Sequence, residues 1–287
     1  MHTLNQKDSE KILNEIGVKP KKHLGQNFLI SDQAAQNILR AINPDKSENV
    51  VEIGSGLGQI TWFLANKSKS LFAIEKDHKL ALFLTSQAEK NQISNVKIIN
   101  SDVLKLEKEF WDQIPQPLKV VGNIPYYITG KLLKTLFSLK NLPQEIILVT
   151  QQEVAQRIVS QAPNSSRLGI SVQVYGKPKI AGKLDPNCFW PKPQVNSSIL
   201  VIAQISKKVF SQENISENDF FEILKTSFSH KRKMLINNLE NSLGSKGADL
   251  TKIFKDLKLK ITARPQELNF SDYLLLTSLL KNRNSPR

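Results

Sequence analysis

A doubly wound, mainly parallel α/β sheet with a small all-helical domain after it is what this 287-residue sequence predicts. Three observations lead there. Short, fully apolar runs alternate with stretches of helical spacing through the first half, the mark of parallel strands covered on both faces. Two later apolar runs have no helix between them, so an antiparallel edge is expected. From Glu217 onward the apolar residues recur only at helical intervals.

The elements follow in order. DQAAQNILRAI (32–42) reads as a helix that INPD ends. NVVEIG (49–54) is followed by LGQITWFLAN, and SLFAIEKD (70–77) by HKLALFLTSQAEK. NVKIINSD (95–102) leads to LKVVGN (118–123) and then YITGKLLKTLFSL, while QEIILVT (144–150) precedes QEVAQRIVSQ. GISVQVYGKPKIAGKL (169–184) and SSILVIAQI (197–205) supply the later strands. NDFFEILKTSFSHKRKMLINNL, ADLTKIFKDLKL and SDYLLLTSLLK are helical. The polar stretch 206–219 is the linker, which sets the domains at 1–207 and 208–287.

Composition narrows the class. Hydrophobic residues at 40% and charged residues at 23% exclude a disordered chain. One cysteine, Cys188, excludes an internal disulfide, and no CxxC or HxH pair suggests a metal. The longest apolar runs, such as EIILV, are too short to span a bilayer, and the first residues resemble neither a secretion signal nor a transit peptide. A cytoplasmic protein is expected, and a monomer, since no long exposed apolar stripe stands out. The net charge of +14 is spread over both parts, with 15 Lys+Arg against 9 Asp+Glu in residues 206–287. It fits either a merely basic surface or a polyanionic partner such as nucleic acid.

Doubly wound sheets bind ligands at the carboxyl ends of their strands. The first strand ends in Glu52-Ile53-Gly54-Ser55-Gly56-Leu57-Gly58, where glycines let a ligand lie against bare backbone. A dinucleotide loop would need glycine at Gln59; here it stands at Gly58. Glu75, 21 positions past Gly54, is placed to accept from ribose hydroxyls, and Asp102 from the amino group of an adenine. Singly these residues suit a turn or a helix cap. Together, at three successive strand ends, they outline a nucleoside site that fits S-adenosylmethionine better than NAD.

The fourth strand ends in Val120-Val121-Gly122-Asn123-Ile124-Pro125-Tyr126-Tyr127. An aromatic amino group is a poor nucleophile because its lone pair is delocalised into the ring. Acceptors aligned with its two N–H bonds favour a tetrahedral nitrogen. The Asn123 side chain and the Ile124 backbone can be those acceptors, Pro125 stiffens the loop, and Tyr126 offers a face for the base. Such chemistry calls for placement and needs no metal. Tyr127 is assigned to packing.

With Asn-Ile-Pro-Tyr in view, the chain resembles the ribosomal RNA adenine dimethyltransferases, most closely the KsgA/RsmA family, over residues 21–280. The pieces are KKHLGQNFL (21–29), VEIGSGLGQIT (51–61), IEKD (74–77), SDVL (101–104), GNIPYYIT (122–129), QQEVAQRI (151–158), CFWPKPQVNSSIL (188–200), FSHKRKMLINNL (228–239) and RPQEL (264–268). The resemblance implies a Rossmann-like methyltransferase sheet and S-adenosylmethionine as methyl donor, held by Asn27, Leu29, Gly54, Glu75, Asp102 and Asn123. By the same resemblance, residues 1–30 fold over the cofactor and Phe189 covers the second face of the target adenine. Lys192, Lys231, Arg232 and Lys233 would contact phosphates. The expected activity is N6-dimethylation of two adjacent adenosines near the 3′ end of 16S rRNA in the small ribosomal subunit. Two features depart from the family: Ser55 where proline is usual, and Ile124 where leucine is usual. An Erm-type enzyme acting on 23S rRNA, or an RNA-binding assembly factor on the same fold, is the alternative.

Overall fold

The computed structural model describes residues 4–21, 25–243 and 247–284, without the side chains of 241–249 and 282–284. Residues 22–24 of KKHLGQNFL therefore lie outside the described residues. The chain divides into two compact units, Met1–Ala155 with Pro178–Ile205, and Gln156–Lys177 with Ser206–Arg287.

The first unit carries the sheet. A two-residue strand β1 (Phe28–Leu29) comes first, followed by β2 (Asn49–Ile53), β3 (Ser70–Glu75), β4 (Val96–Asn100), β5 (Leu118–Asn123) and β6 (Glu145–Gln151). Then come β7 (Lys177–Leu184), β8 (Phe189–Trp190) and β9 (Ser197–Ala203). Seven of them form one sheet in the order β4-β3-β2-β5-β6-β9-β7. Strands β2 to β6 pair in parallel and β9 runs antiparallel to β6, as the sequence predicts. All of β2 is buried, and Val120 and Val121 of β5 are fully covered. Strands β3 and β4 leave β2 on one side and β5 and β6 on the other, so the switch point lies between β2 and β5.

Register brings the distant motifs together. Ile53 pairs with Ile74 on one side and Gly122 on the other. The next residue on each strand is Gly54, Glu75 and Asn123. Glu75 pairs in turn with Asn100, which puts Asp102 two residues past the same level. A Cβ on Gly122 would stand 2.8 Å from the Ile53 carbonyl oxygen, so only glycine lets β2 and β5 approach this closely here.

Helices α1 (Gln6–Glu15), α2 (Asp32–Ile42), α3 (Thr61–Lys67), α4 (His78–Lys90), α5 (Lys108–Asp112) and α6 (Thr129–Phe137) belong to this unit. In α2, Ala34, Ala35, Ile38, Leu39 and Ile42 form one buried stripe, Ser31 caps the start and left-handed Asn43 the end. Helices α1 and α5 and the antiparallel β1–β8 ribbon go beyond the sequence reading.

Helix α7 (Gln152–Val159) begins in the first unit and ends in the second, which also holds α8 (Arg167–Gln173), α9 (Lys208–Gln212) and the helices after it. The predicted strand over the start of 169–184 is instead helix α8. Ser166 caps it by accepting from the Gly169 N–H at 2.9 Å, and alternating apolar residues over so short a run suit either period. The expected single stretch 218–239 is α10 (Glu217–Ser227) and α11 (Leu235–Leu243). The Asn238 amide secures the turn between them by donating to the Ser227 and His230 carbonyls at 2.7 and 3.1 Å. Helices α12 (Gly247–Asp256) and α13 (Phe270–Asn284) follow.

Residues 156–177, read from sequence as part of a 1–207 domain, pack with this helical unit. Tyr175 is one anchor, beside the Ser165 N–H that donates to the Gln266 carbonyl at 2.9 Å. The Tyr175 ring lies 5.7 Å from Phe210 and 5.9 Å from Phe221, its hydroxyl donates to Glu217, and its carbonyl accepts from the Ser206 N–H at 2.8 Å.

Candidate active site

The carboxyl ends of β2, β3 and β5 open into one pocket in the first unit. Asn27, Leu29, Gly54, Glu75, Asp102 and Asn123 all line it, with Gly56, Gln59, Lys76, Pro125 and Tyr127. The residues that the resemblance singled out for the cofactor are thus brought together.

Gly54, Gly56 and Gly58 all have positive φ, so the loop after β2 turns as few other residues could. A Cβ on Gly54 would stand 3.1 Å from the Asn123 carbonyl oxygen. The bare backbone there leaves a cradle between β2 and β5. Beneath it, the Glu75 carboxylate accepts the Gly56 N–H at 2.9 Å and the Asp77 N–H at 2.8 Å. Burial raises its pKa against the pull of those two donors. A carboxylate has about four acceptor positions, so these donors leave it capacity for a ligand.

Asp102 accepts the Leu104 N–H at 3.0 Å and pairs with the Lys76 ammonium at 3.0 Å. Burial works against its ionisation, but Lys76 and the Leu104 N–H outweigh it and hold the carboxyl below its usual range. Lys76 is a neighbour the sequence reading missed, although it sits beside Glu75 in IEKD.

Glu52 also lines the pocket and is 2% exposed. Thr61 donates to it at 2.7 Å, and burial still pushes its pKa up to about 7. The Ser55 hydroxyl, buried as well, lies near enough to favour the ionised form without completing a hydrogen bond.

The loop after β5 is tied down at several points. The Ile124 N–H reaches the Val149 carbonyl at 3.4 Å and the Ile128 N–H the Pro125 carbonyl at 3.1 Å. The Thr129 hydroxyl donates to the Tyr126 carbonyl at 3.0 Å. The Asn123 amide donates to the Asn27 carbonyl at 3.0 Å. Among the described residues no donor reaches Asn123 Oδ1 or the Ile124 carbonyl. Ile124 itself is 2% exposed and is not among the residues that line the pocket, so its side chain serves the core.

Three expectations are refined here. Tyr126 is half-buried, with its hydroxyl 2.6 Å from Ser197 Oγ, and burial raises its pKa. Tyr127, assigned to packing, is instead 67% exposed and lines the pocket. Phe189, expected to face the target base, is 2% exposed: its pairing with Leu29 in the ribbon draws the ring into the core cluster with Val149, Leu184 and Ile199. Lys192 is exposed in the loop after β8. Lys231, Arg232 and Lys233 belong to the second unit, exposed on the turn after α10. Among the described residues no group of three or more His, Cys, Asp or Glu could hold a metal.

Residues 17–281 match the family described as ribosomal RNA adenine dimethylase. The chain belongs to this family. The chain is 36% identical over 281 residues to the ribosomal RNA small subunit methyltransferase A of Streptococcus thermophilus, covering 94% of this chain and 95% of the relative. The protein of the same name from Streptococcus agalactiae is 35% identical over 280 residues, with the same coverage. Among solved structures, a dimethyladenosine transferase from Plasmodium falciparum superposes with a TM-score of 0.75 at 22% identity, covering 89% of this chain and 97% of that one. The 23S rRNA methyltransferase ErmE superposes at 0.69 with 20% identity, covering 89% and 100%. At those identities both likenesses speak for the dimethylase fold alone, the Rossmann-like methyltransferase sheet with helices after it.

Proposed function

We propose that the chain uses S-adenosylmethionine to dimethylate N6 of two adjacent adenosines near the 3′ end of 16S rRNA in the small ribosomal subunit. As such it would act in the cytoplasm as a monomer during ribosome biogenesis. The reading rests most on one observation: among the described residues no donor reaches Asn123 Oδ1 or the adjacent Ile124 carbonyl. The family and the small-subunit names of its relatives support the choice of RNA over an Erm-type substrate.

The residues present fit the donor. Glu75 has open acceptor positions for ribose hydroxyls, Asp102 for an adenine amino group, and the glycine cradle leaves backbone exposed beside Asn123. When bound, S-adenosylmethionine supplies the methyl group from its sulfonium. The chain supplies orientation. Asn123 and Ile124 accept the two N–H bonds of the target amino group and so turn its lone pair out of ring conjugation. Tyr126 stacks on the base, steadied by Ser197. After one transfer a single N–H remains, and either acceptor can hold it while the other makes room for the methyl. Lys192, Lys231, Arg232 and Lys233 hold RNA phosphates, in a contact that weakens as salt rises.

Incubation with labelled S-adenosylmethionine and unmethylated small subunits, large subunits or naked RNA tests the proposal. Label in dimethyladenosine of small-subunit RNA is expected. Label confined to large-subunit RNA would replace it with the Erm-type reading, and no label anywhere with the assembly-factor one.

A further inference from the structure

Residues 25–29, which line the pocket, are gripped along both edges of their segment. Phe28 and Leu29 pair with Trp190 and Phe189, and the Ile30 N–H continues that edge by donating to the Cys188 carbonyl at 2.8 Å. In an extended strand alternate residues turn their backbone groups to opposite edges. The carbonyls of Asn27 and Leu29 therefore leave by the edge away from β8. Each meets a side-chain carboxamide there. Asn123 Nδ2 donates to the Asn27 oxygen at 3.0 Å, and Gln59 Nε2 to the Leu29 oxygen at 2.7 Å.

The two carboxamides come from the two halves of the site. Asn123 ends β5 on the base side. Gln59 lies in the glycine loop, 8% exposed, at the position where a dinucleotide loop would have its last glycine. Two close approaches narrow the play between them. A Cβ on Gly25 would stand 2.9 Å from the Pro125 ring, and one on Gly56 would stand 3.3 Å from the Phe28 ring.

We propose that Gln59 is a positioning residue for S-adenosylmethionine binding. Its carboxamide holds the Leu29 carbonyl and so keeps residues 25–29 closed over the S-adenosylmethionine pocket, in line with the Asn27 carbonyl that orients the Asn123 amide. This rests on the reading of that pocket as the cofactor site. Gln59 touches no reacting atom; it acts through the segment it holds. With the Asn27 carbonyl fixed, the Asn123 amide keeps its nitrogen toward the segment and leaves Oδ1 for the substrate.

The test compares wild type with Gln59→Leu and Gln59→Glu by titration calorimetry with S-adenosylmethionine and hydrogen exchange of the Phe28–Ile30 amides. Gln59→Leu keeps the bulk and loses the donor. Its Kd should rise about tenfold and the Ile30 amide should exchange about tenfold faster, while kcat at saturating cofactor falls no more than about threefold. Gln59→Glu carries a pH signature that a space-filling role would not. Its carboxyl can donate to the Leu29 carbonyl only when protonated, so its Kd relative to wild type should improve as pH falls from about 8 to about 5.5. Should Gln59→Leu fail to fold, Gln59→Glu at low pH carries the test. Wild-type Kd and exchange in Gln59→Leu, or a Gln59→Glu to wild-type Kd ratio flat with pH, would overturn the clasp alone. Wild type that binds no S-adenosylmethionine would overturn the cofactor reading beneath it.

Discussion

The two ends of the central strands treat buried charge in opposite ways. At the amino end of β5, Lys119 is 7% exposed and fully engaged. It pairs with Glu48 at 3.1 Å and Glu145 at 3.3 Å, and donates to the Ile42 and Asn43 carbonyls at 3.1 Å each. That single ammonium ties the end of α2 to the starts of β5 and β6. At the carboxyl end, Glu52 and Glu75 are as deeply buried but keep open acceptor positions, and burial raises both their pKa values. Asn123 and Ile124 likewise hold acceptors in reserve. One end of the sheet spends its polar groups on the fold, and the other withholds them for a ligand.

The largest effect should come from the end that withholds. Asn123→Ala removes one of two aligned acceptors, and loss of a single oriented polar group of this kind costs about 10²–10³-fold in rate. Methyl transfer to small subunits should fall at least that far while the Kd for S-adenosylmethionine rises only a few-fold. Full activity in the variant would remove Asn123 from the mechanism. The other end predicts the converse. Lys119→Met leaves two carboxylates and two carbonyls without their cation. Breaking a buried pair typically costs about 3–5 kcal/mol, and the low end applies because Glu145 is one-third exposed. Thermal unfolding should shift down by several degrees with kcat per folded molecule unchanged. A fall in kcat without a fall in stability would break the division of labour between the ends.

The difference between the ends also explains what the sequence could disclose. Parallel strands, the antiparallel edge and the helical carboxyl half all follow from period and length, because burial on two faces writes itself into composition. Gly54, Glu75, Asp102 and Asn123 are legible for a related reason: each follows an apolar run, and parallel register carries Gly54, Glu75 and Asn123 to one level with Asp102 two residues beyond it. Contacts across long separations are not legible. Nothing local announces that Gln59 meets Leu29, that Lys76 pairs with Asp102, or that Tyr126 rests on Ser197. Phe189 and Tyr127 exchange their expected surroundings because a two-residue ribbon buries one, and an aromatic after a stiff loop leaves the other in water. Helix α8 was hidden by an alternation that suits both periods, and the 156–177 boundary by contacts to distant residues such as Phe221 and Gln266.

Glu52 sharpens the comparison through pH. It ionises near 4.5 in the unfolded chain and at about 7 in the folded one. Between those values the folded state holds more protons, so stability falls as pH rises across the window and the penalty is complete above about 7. The difference amounts to roughly 3 kcal/mol. Glu52→Gln keeps an acceptor for Thr61 and removes the charge. Without ligand it should be more stable than wild type at pH about 8 and similar at pH about 5, measured by urea unfolding. Equal stability of the two at both pH values would mean that Glu52 is not buried as an anion, and the contrast with Lys119 would lose one of its members.

The smallest effect separates the two tyrosines that follow Pro125. Tyr126→Phe deletes one hydroxyl and leaves Ser197 Oγ without its partner at 2.6 Å. A hydrogen bond in a half-buried setting contributes about 0.5–1.5 kcal/mol. Tyr127→Phe deletes a hydroxyl from a ring that is 67% exposed, so its stability should stay within about 0.5 kcal/mol of wild type. If Tyr126 steadies a base through Ser197, Tyr126→Phe and Ser197→Ala should each lower kcat/KM for RNA a few-fold, and the double variant no further. Additive losses would mean that the two hydroxyls act separately, and that the face of Tyr126 is held by the backbone of the loop rather than by its reach to β9.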